Sequence, residues 1–355
     1  MGVFNFFDYS KKNSRCLGHP DDVPFEGNSD RDSFTRSLGD YYVANRELDL
    51  SAKELNKMSI TDGAEMWRLF VLFRHKMTQK DPSILEKDDE RIDRLARALA
   101  EKTLRTDELY CIYSKSTGEP YLFSETVKLD EGYICTPPDI RFITPAYLPI
   151  AEKDYPDETF EFVKISNGED GRNIERFIVD AIRINGACGF EINSDSAAID
   201  AGFLDLDYSL SSLEKADLVN PELMRWMIMM SQIDDIRTED ERIIYNLYFG
   251  FFSREIQKAT FLVPVKEADG EKIFGYAINP GKYDRQAVAM YTDKTRFNEY
   301  YSGWAIREAA LSDVIVKHDV VINSTKHPKL GFYIGKKIFE DIKSRAATSQ
   351  EAGIF

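Results

Sequence analysis

The chain has 355 residues, with 61 Asp and Glu against 46 Lys and Arg, a formal net charge of −15. That length exceeds what one hydrophobic core usually serves, so two domains are expected. Hydrophobic residues at 43% can fill a sizeable core, while the acidic balance argues against nucleic acid and anionic lipid as partners.

The charge is uneven. Residues 151–241 carry a net of −14 and residues 281–346 a net of +4. Two solvated surfaces of different composition explain this, although one half would also attract the other. Four cysteines, at 16, 111, 135 and 188, form no CxxC pair. Cys111 and Cys188 sit in apolar runs and read as buried reduced thiols, which fits a reducing compartment. No basic stretch leads into a long apolar run at the start of the chain, so a cytoplasmic protein without a signal peptide is expected. The densest apolar runs, WRLFVLF (67–73) and MRWMIMM (224–230), are too short to span a bilayer.

Residues 1–48 read as a flexible or loosely docked arm, with GVFNFF at 2–7 expected to pack on the protein's own surface. From about 62, Met66, Phe70, Phe73 and Met77 form one helical stripe. A second helix is expected to start at Ser83, where Ser83 and Glu86 form a capping box. LYCIY (109–113) and YLFS (121–124) flank Ser116-Thr117-Gly118 as a hairpin. IRFITPAYL gives a strand and a turn at Thr144-Pro145, FEFVKI (160–165) a strand, and NIERFIVDAIRING a helix stopped by Gly186. CGFEINS (188–194) is the next strand.

The order then begins again. Pro221 opens an apolar helix with Trp226, and Thr238 to Glu241 cap another. TFLVPV (260–265) and KIFGYAI (272–278) form a hairpin, AVAMYT (287–292) a strand, DKTRFNEYY a short helix, and residues near 303–312 a further helix. HDVVINS (318–324) and a helix over about 335–346 complete the chain. Each half thus reads helix, helix, hairpin, strand ending in Thr, helix, strand ending in Ile-Asn-Ser, then Gly-Phe. Asp-Glu-Arg-Ile recurs at 89–92 and 240–243. A duplication explains the shared order.

The expected fold class is α/β, as an α+β mixed sheet in two similar tandem domains. Each is a helical hairpin followed by a small mixed sheet with flanking helices. The expected boundaries are 1–48 for the arm, 49–210 and 218–346 for the domains, and 347–355 for a tail. The helices carrying Trp67 and Trp226 are expected to join the halves.

FLVPV (261–265), a strand closing on Tyr291-Thr292 with Phe297 after it, VVINS, Gly331-Phe332 and a final helix carry a resemblance. The second half resembles the N-terminal domain of the SseB family, named for enhanced serine sensitivity. Residues about 240–346 carry the match, and 84–207 a weaker one through Ile143-Thr144 and Ile-Asn-Ser. Ile-Asn-Ser stands where the family often has Asn-Pro. The resemblance implies a bacterial cytoplasmic α/β domain and brings no catalytic residue set, so a non-catalytic binding or adaptor protein is the leading expectation.

Asn193 and Ser194, with Asn323 and Ser324, suit turns at strand ends, where Asn tolerates left-handed backbone and Ser caps the next turn. The functional alternative makes them pocket walls with Thr144 and Thr292, because α/β proteins bind ligands at such edges. Lys326 and His327 would make the second pocket cationic. That pocket would serve a metabolite-binding regulator or an enzyme linked to serine or sulfur metabolism. GYAINPGK (275–282) fails as a phosphate loop on spacing and on Tyr283. The four histidines show no metal-ligand spacing. No cofactor is expected, and the partner is either a protein or an unidentified small molecule.

Overall fold

A computed structural model describes residues 43, 50–80, 84–129, 132–193, 198–233, 236–268, 271–278, 286–327 and 329–351. The expected arm lies almost wholly outside these residues, as does the Ser83 cap, while residues 347–351 of the expected tail continue the last helix. Helices α1 (Ala52–Lys57), α2 (Ile60–Lys80) and α3 (Ile84–Leu104) come first. Strands β1 (Glu108–Ser114), β2 (Glu119–Pro120), β3 (Leu122–Phe123), β4 (Thr126–Leu129), β5 (Gly132–Cys135) and β6 (Asp139–Ile143) follow. Then come α4 (Leu148–Asp154), β7 (Phe160–Ser166), α5 (Asn173–Arg183), β8 (Gly189–Ile192) and β9 (Ile199–Asp200). Among the described residues no helix is long and apolar enough to cross a membrane.

The second half runs α6 (Pro221–Ser231), α7 (Glu239–Ile256), β10 (Thr260–Ala268), β11 (Glu271–Phe274), β12 (Val288–Met290), α8 (Lys294–Tyr301), β13 (Ala305–Ala310), α9 (Leu311–Ile315), β14 (Val320–Ile322), β15 (Phe332–Ile334) and α10 (Lys336–Glu351). The cap heading α7 forms as its sequence demands. Thr238 Oγ1 accepts from the Glu241 amide at 3.1 Å, and Glu241 Oε2 accepts from the Thr238 amide at 2.8 Å.

Mixed sheets and helices make this an α/β fold, and one strand order occurs twice. In the first sheet β1 has antiparallel β7 on one edge and antiparallel β6 on the other, with β2 and β3 entering between β1 and β6. β8 runs parallel to β6, and β9 antiparallel to β8. In the second, β10 has antiparallel β13 on one edge and β11 on the other. Leu262 and Tyr291 join β10 to β12 by two 2.9 Å backbone bonds. β12 and β14 are parallel, and β15 is antiparallel to β14.

One element departs from expectation. Residues 303–312 are helical by residue type, yet β13 fills most of that span and only the short α9 follows. Ala-Ile-Arg-Glu-Ala-Ala is rich in helix formers. Pairing from Thr260↔Ala310 to Val265↔Ala305 overrides that preference, because a lone turn of helix is marginal and the ladder is cooperative.

The core is continuous across the halves. The inner faces of both sheets, α2, α3, α5, α6, α7, α9 and α10 contribute to it. Among the described residues the outer faces carry α4 and α8 with smaller clusters. Helix α6 is buried nearly all round, from Leu223 to Ser231 except the half-buried Arg225. Each such apolar side chain contributes about 1.5–3 kcal/mol by leaving water. The helices carrying Trp67 and Trp226, expected to join the halves, both contribute to this shared core. Trp67 stacks on Phe70 of its own helix at 6.4 Å and Trp226 on Phe251 of α7 at 4.4 Å. Helix α6 also reaches across onto β3.

Candidate functional site

The two Ile-Asn-Ser strand ends share one backbone device. Asn193 and Asn323 have φ of 65° and 52°, the left-handed region, alone among the described non-glycine residues. Asn193 donates its amide to the Phe142 carbonyl at 2.8 Å and accepts the Thr144 amide on Oδ1 at 2.8 Å. Asn323 repeats this with the Met290 carbonyl at 2.8 Å and the Thr292 amide at 3.0 Å. Where the ladder of parallel strands ends, the side-chain amide supplies the next rung.

These polar groups are engaged inside the fold. Asn193, Asn323, Thr144 and Thr292 are all buried. Thr144 Oγ1 accepts from Thr61 at 2.9 Å, and Asn323 Nδ2 donates to Thr292 Oγ1 at 3.0 Å. Ser324 Oγ accepts the Ile278 amide at 2.9 Å, and its carbonyl accepts the Tyr291 hydroxyl at 3.0 Å. Ser194 lies outside the described residues.

The end of the second sheet is covered by the first half. Lys326 is exposed, and its amide donates to the Tyr300 hydroxyl at 2.7 Å. The His327 ring lies over Gly118, so close that a Cβ there would sit 2.2 Å from Nε2. The Lys329 amide donates to the Ser116 carbonyl at 3.3 Å. Beside this contact, Glu119 Oε1 accepts from Arg296 Nε at 3.0 Å and Nη2 at 2.6 Å, while its Oε2 accepts from Asn185 at 2.6 Å. Arg296 also pairs with Asp293, the N-cap of α8. A helix start at a sheet end is a usual anion site. Here the carboxylate that fills it belongs to the chain itself.

The first sheet carries a different feature on its outer face. Arg141 on β6 stands opposite Glu191 on β8 and donates to its Oε2 from Nε at 2.9 Å and Nη2 at 2.7 Å. Nη1 donates to the Tyr155 hydroxyl, and the guanidinium lies 3.9 Å from the Phe123 ring centroid. That pair is closed. Asp139, two residues earlier on the same face, is only 7% exposed and makes no hydrogen bond through its carboxylate among the described residues. Burial, with Glu191 and Asp200 nearby, pushes its pKa up to about 8 against the opposing pull of Arg225. Burial likewise raises the Cys188 thiol, next to β8, and the Cys111 thiol on β1.

The second sheet has none of this charge at the matching positions. Phe142↔Ile192 corresponds to Met290↔Ile322, so Asp139 falls at Ala287, Arg141 at Ala289 and Glu191 at Val321. Asp200, one beyond Ile199, falls at Gly335, one beyond Ile334. Ala287, Val321, Ala277 and Tyr333 form a small apolar cluster there. Buried charge costs more than apolar packing in the same frame, so the two outer faces differ in energy as well as in composition. Reading the sequence by residue type missed these positions. The signal was present in DIRFIT (139–144) set against AVAMYT (287–292), and in Glu191 set against Val321.

Among the described residues no three His, Cys, Asp or Glu side chains converge as metal ligands. No family model, curated protein or solved structure matches the chain.

Proposed function

We propose that the chain is a non-catalytic cytoplasmic binding protein of the SseB type, built by duplication from two SseB-like units, with recognition carried by the first. One observation carries the reading: the outer face of the first sheet holds Asp139, Arg141 and Glu191 where the second holds Ala287, Ala289 and Val321. The repeated strand order supports the duplication. Thiols raised by burial make poor nucleophiles, which weighs against chemistry at cysteine. The adaptor form of the reading places a protein partner on this same first unit.

The rival is a metabolite-binding regulator or an enzyme. Asp139 favours it specifically, since a carboxyl with pKa about 8 suits proton transfer. Its site then lies at Asp139 and not near Asn323 and His327, whose surroundings the first half covers. Native mass spectrometry of the full chain after incubation with cell extract separates the two. Recovery of a bound molecule or protein chemically unchanged supports the binding protein. Release of a converted small molecule supports the enzyme.

A further inference from the structure

We propose that the outer face of the first sheet binds a small organic amine, its ammonium group held between the carboxylates of Asp139 and Asp200 at the β6–β8–β9 edge. The inference rests on the binding-protein reading and names its ligand class.

Four observations lead there. Asp139 is nine-tenths buried and makes no hydrogen bond through its carboxylate among the described residues, while its oxygens still reach the surface, where an outside donor can bond them. Once Asp139 is ionised the neighbourhood is negative, with Asp139, Glu191 and Asp200 set against Arg141 and Arg225, so the missing partner is then a cation and not an anion. Arg141 is fully committed to Glu191 and Tyr155, and Asp200 Oδ1 accepts the Gly202 amide at 2.6 Å, which leaves the Asp139 carboxylate and Oδ2 of the exposed Asp200 as the open acceptors among the described residues. The acidic groups do not converge as metal ligands, which suits a multi-atom ammonium better than a bare ion.

Local backbone brings the two acidic residues to either side of a glycine. Asp139 stands opposite Gly189, and Gly189 is itself opposite Asp200. A Cβ at Gly189 would meet the Ile199 carbonyl at 2.2 Å and Asp139 Oδ1 at 2.9 Å. Only glycine lets the Asp139 carboxylate and the β9 backbone close over this point of β8, with Asp200 on its other side. At the matching place in the second sheet the acidic residue is Asp319, which already accepts the Tyr333 hydroxyl. There the carboxylate has its donor within the chain, and here none of the described residues supplies one.

The test uses the full chain, with thermal shift and calorimetric titration against methylammonium, propylammonium and benzylammonium chlorides. Sodium chloride at matched ionic strength and the corresponding alcohols serve as blanks. At pH 9 at least one amine is expected to stabilise the chain saturably while the blanks do not. Affinity is expected to fall about tenfold per pH unit below about 8, as Asp139 takes up its proton. Glu191 on β8, Asp200 on β9, Cys188, and Arg225 and Glu222 on α6 also face this group and set the midpoint. Asp139→Asn is expected to weaken binding more than tenfold, and Asp200→Asn by less, both keeping the wild-type circular dichroism. Glu308→Gln, on the other sheet, is expected to bind as wild type. Equal shifts from sodium chloride, absence of saturation, or undiminished binding by Asp139→Asn would overturn the site. If amines fail while another molecule is recovered unchanged, the site is wrong and the binding protein stands. If an amine binds and is converted, the site stands and the non-catalytic reading is wrong.

Discussion

Asn323 and Asn193 each meet two demands at one position, a left-handed backbone and a side-chain acceptor for the neighbouring strand. Asn323→Ala fails both and is expected to cost about 2–4 kcal/mol by chemical denaturation. Asn323→Gly keeps the backbone and should cost about 1 kcal/mol less. If alanine and glycine cost the same, the backbone geometry contributes nothing. Asp139 makes the opposite bargain. Its folded pKa of about 8 lies above the usual carboxylate value, so from pH about 4 to 8 the folded state holds a proton that the unfolded chain has lost. Stability therefore falls as pH rises through that window and is lowest above 8. Asp139→Asn removes the titration and is expected to raise stability by about 1–3 kcal/mol at pH 8, with little change near pH 4. Urea melts at both pH values check the sign.

At the scale of elements, the β1–β2 turn and α6 do the joining. Gln232, just past α6, accepts the Leu122 amide at 2.9 Å and donates to its carbonyl at 2.8 Å, so an amide side chain extends the edge of β3. Gln232→Ala leaves both backbone groups without that partner and should cost about 2–3 kcal/mol, with faster exchange of the Leu122 amide. Gly118 has φ of 69° and the His327 ring against it. Gly118→Ala is expected to destabilise strongly by overlap with the ring as well as by backbone strain. In Gly118→Ala/His327→Ala the overlap is gone, so the alanine should cost only about 1 kcal/mol in that background. A cost unchanged by removing His327 would place the strain wholly in the turn.

Across the whole molecule the halves share one core and one buried charge network. Arg296 is 5% exposed and faces Glu119 from the other half and Asp293 from its own. Glu119→Ala leaves the guanidinium half-paired and should cost about 3–5 kcal/mol, whereas Glu119→Leu with Arg296→Met should cost far less. Because α6 is enclosed on both sides, one cooperative unfolding transition is expected by calorimetry. Cleavage near 208–220 should then yield fragments that stay associated. Two separate transitions, or two fragments that part as folded species, would contradict a shared core.

The sequence by itself determined the elements whose signal is local. Spaced apolar residues, the Thr238 cap and the Gly186 stop fixed most helices, and the repeated Ile-Asn-Ser marked two equivalent turns. Local letters misled at 305–310, where helix-forming residues became an edge strand through pairing with β10. They were silent on Glu119 and Arg296, which are 177 positions apart and meet only in space. Tertiary structure also decided what the polar residues are for. Asn323 and Asn193 support the backbone because both strand ends bury them. Asp139 holds its proton to higher pH because burial, with Glu191 and Asp200 brought near it from distant parts of the chain, disfavours its charge. Spacing along a chain encodes local hydrogen bonding well, and it cannot encode which distant charges burial will bring together.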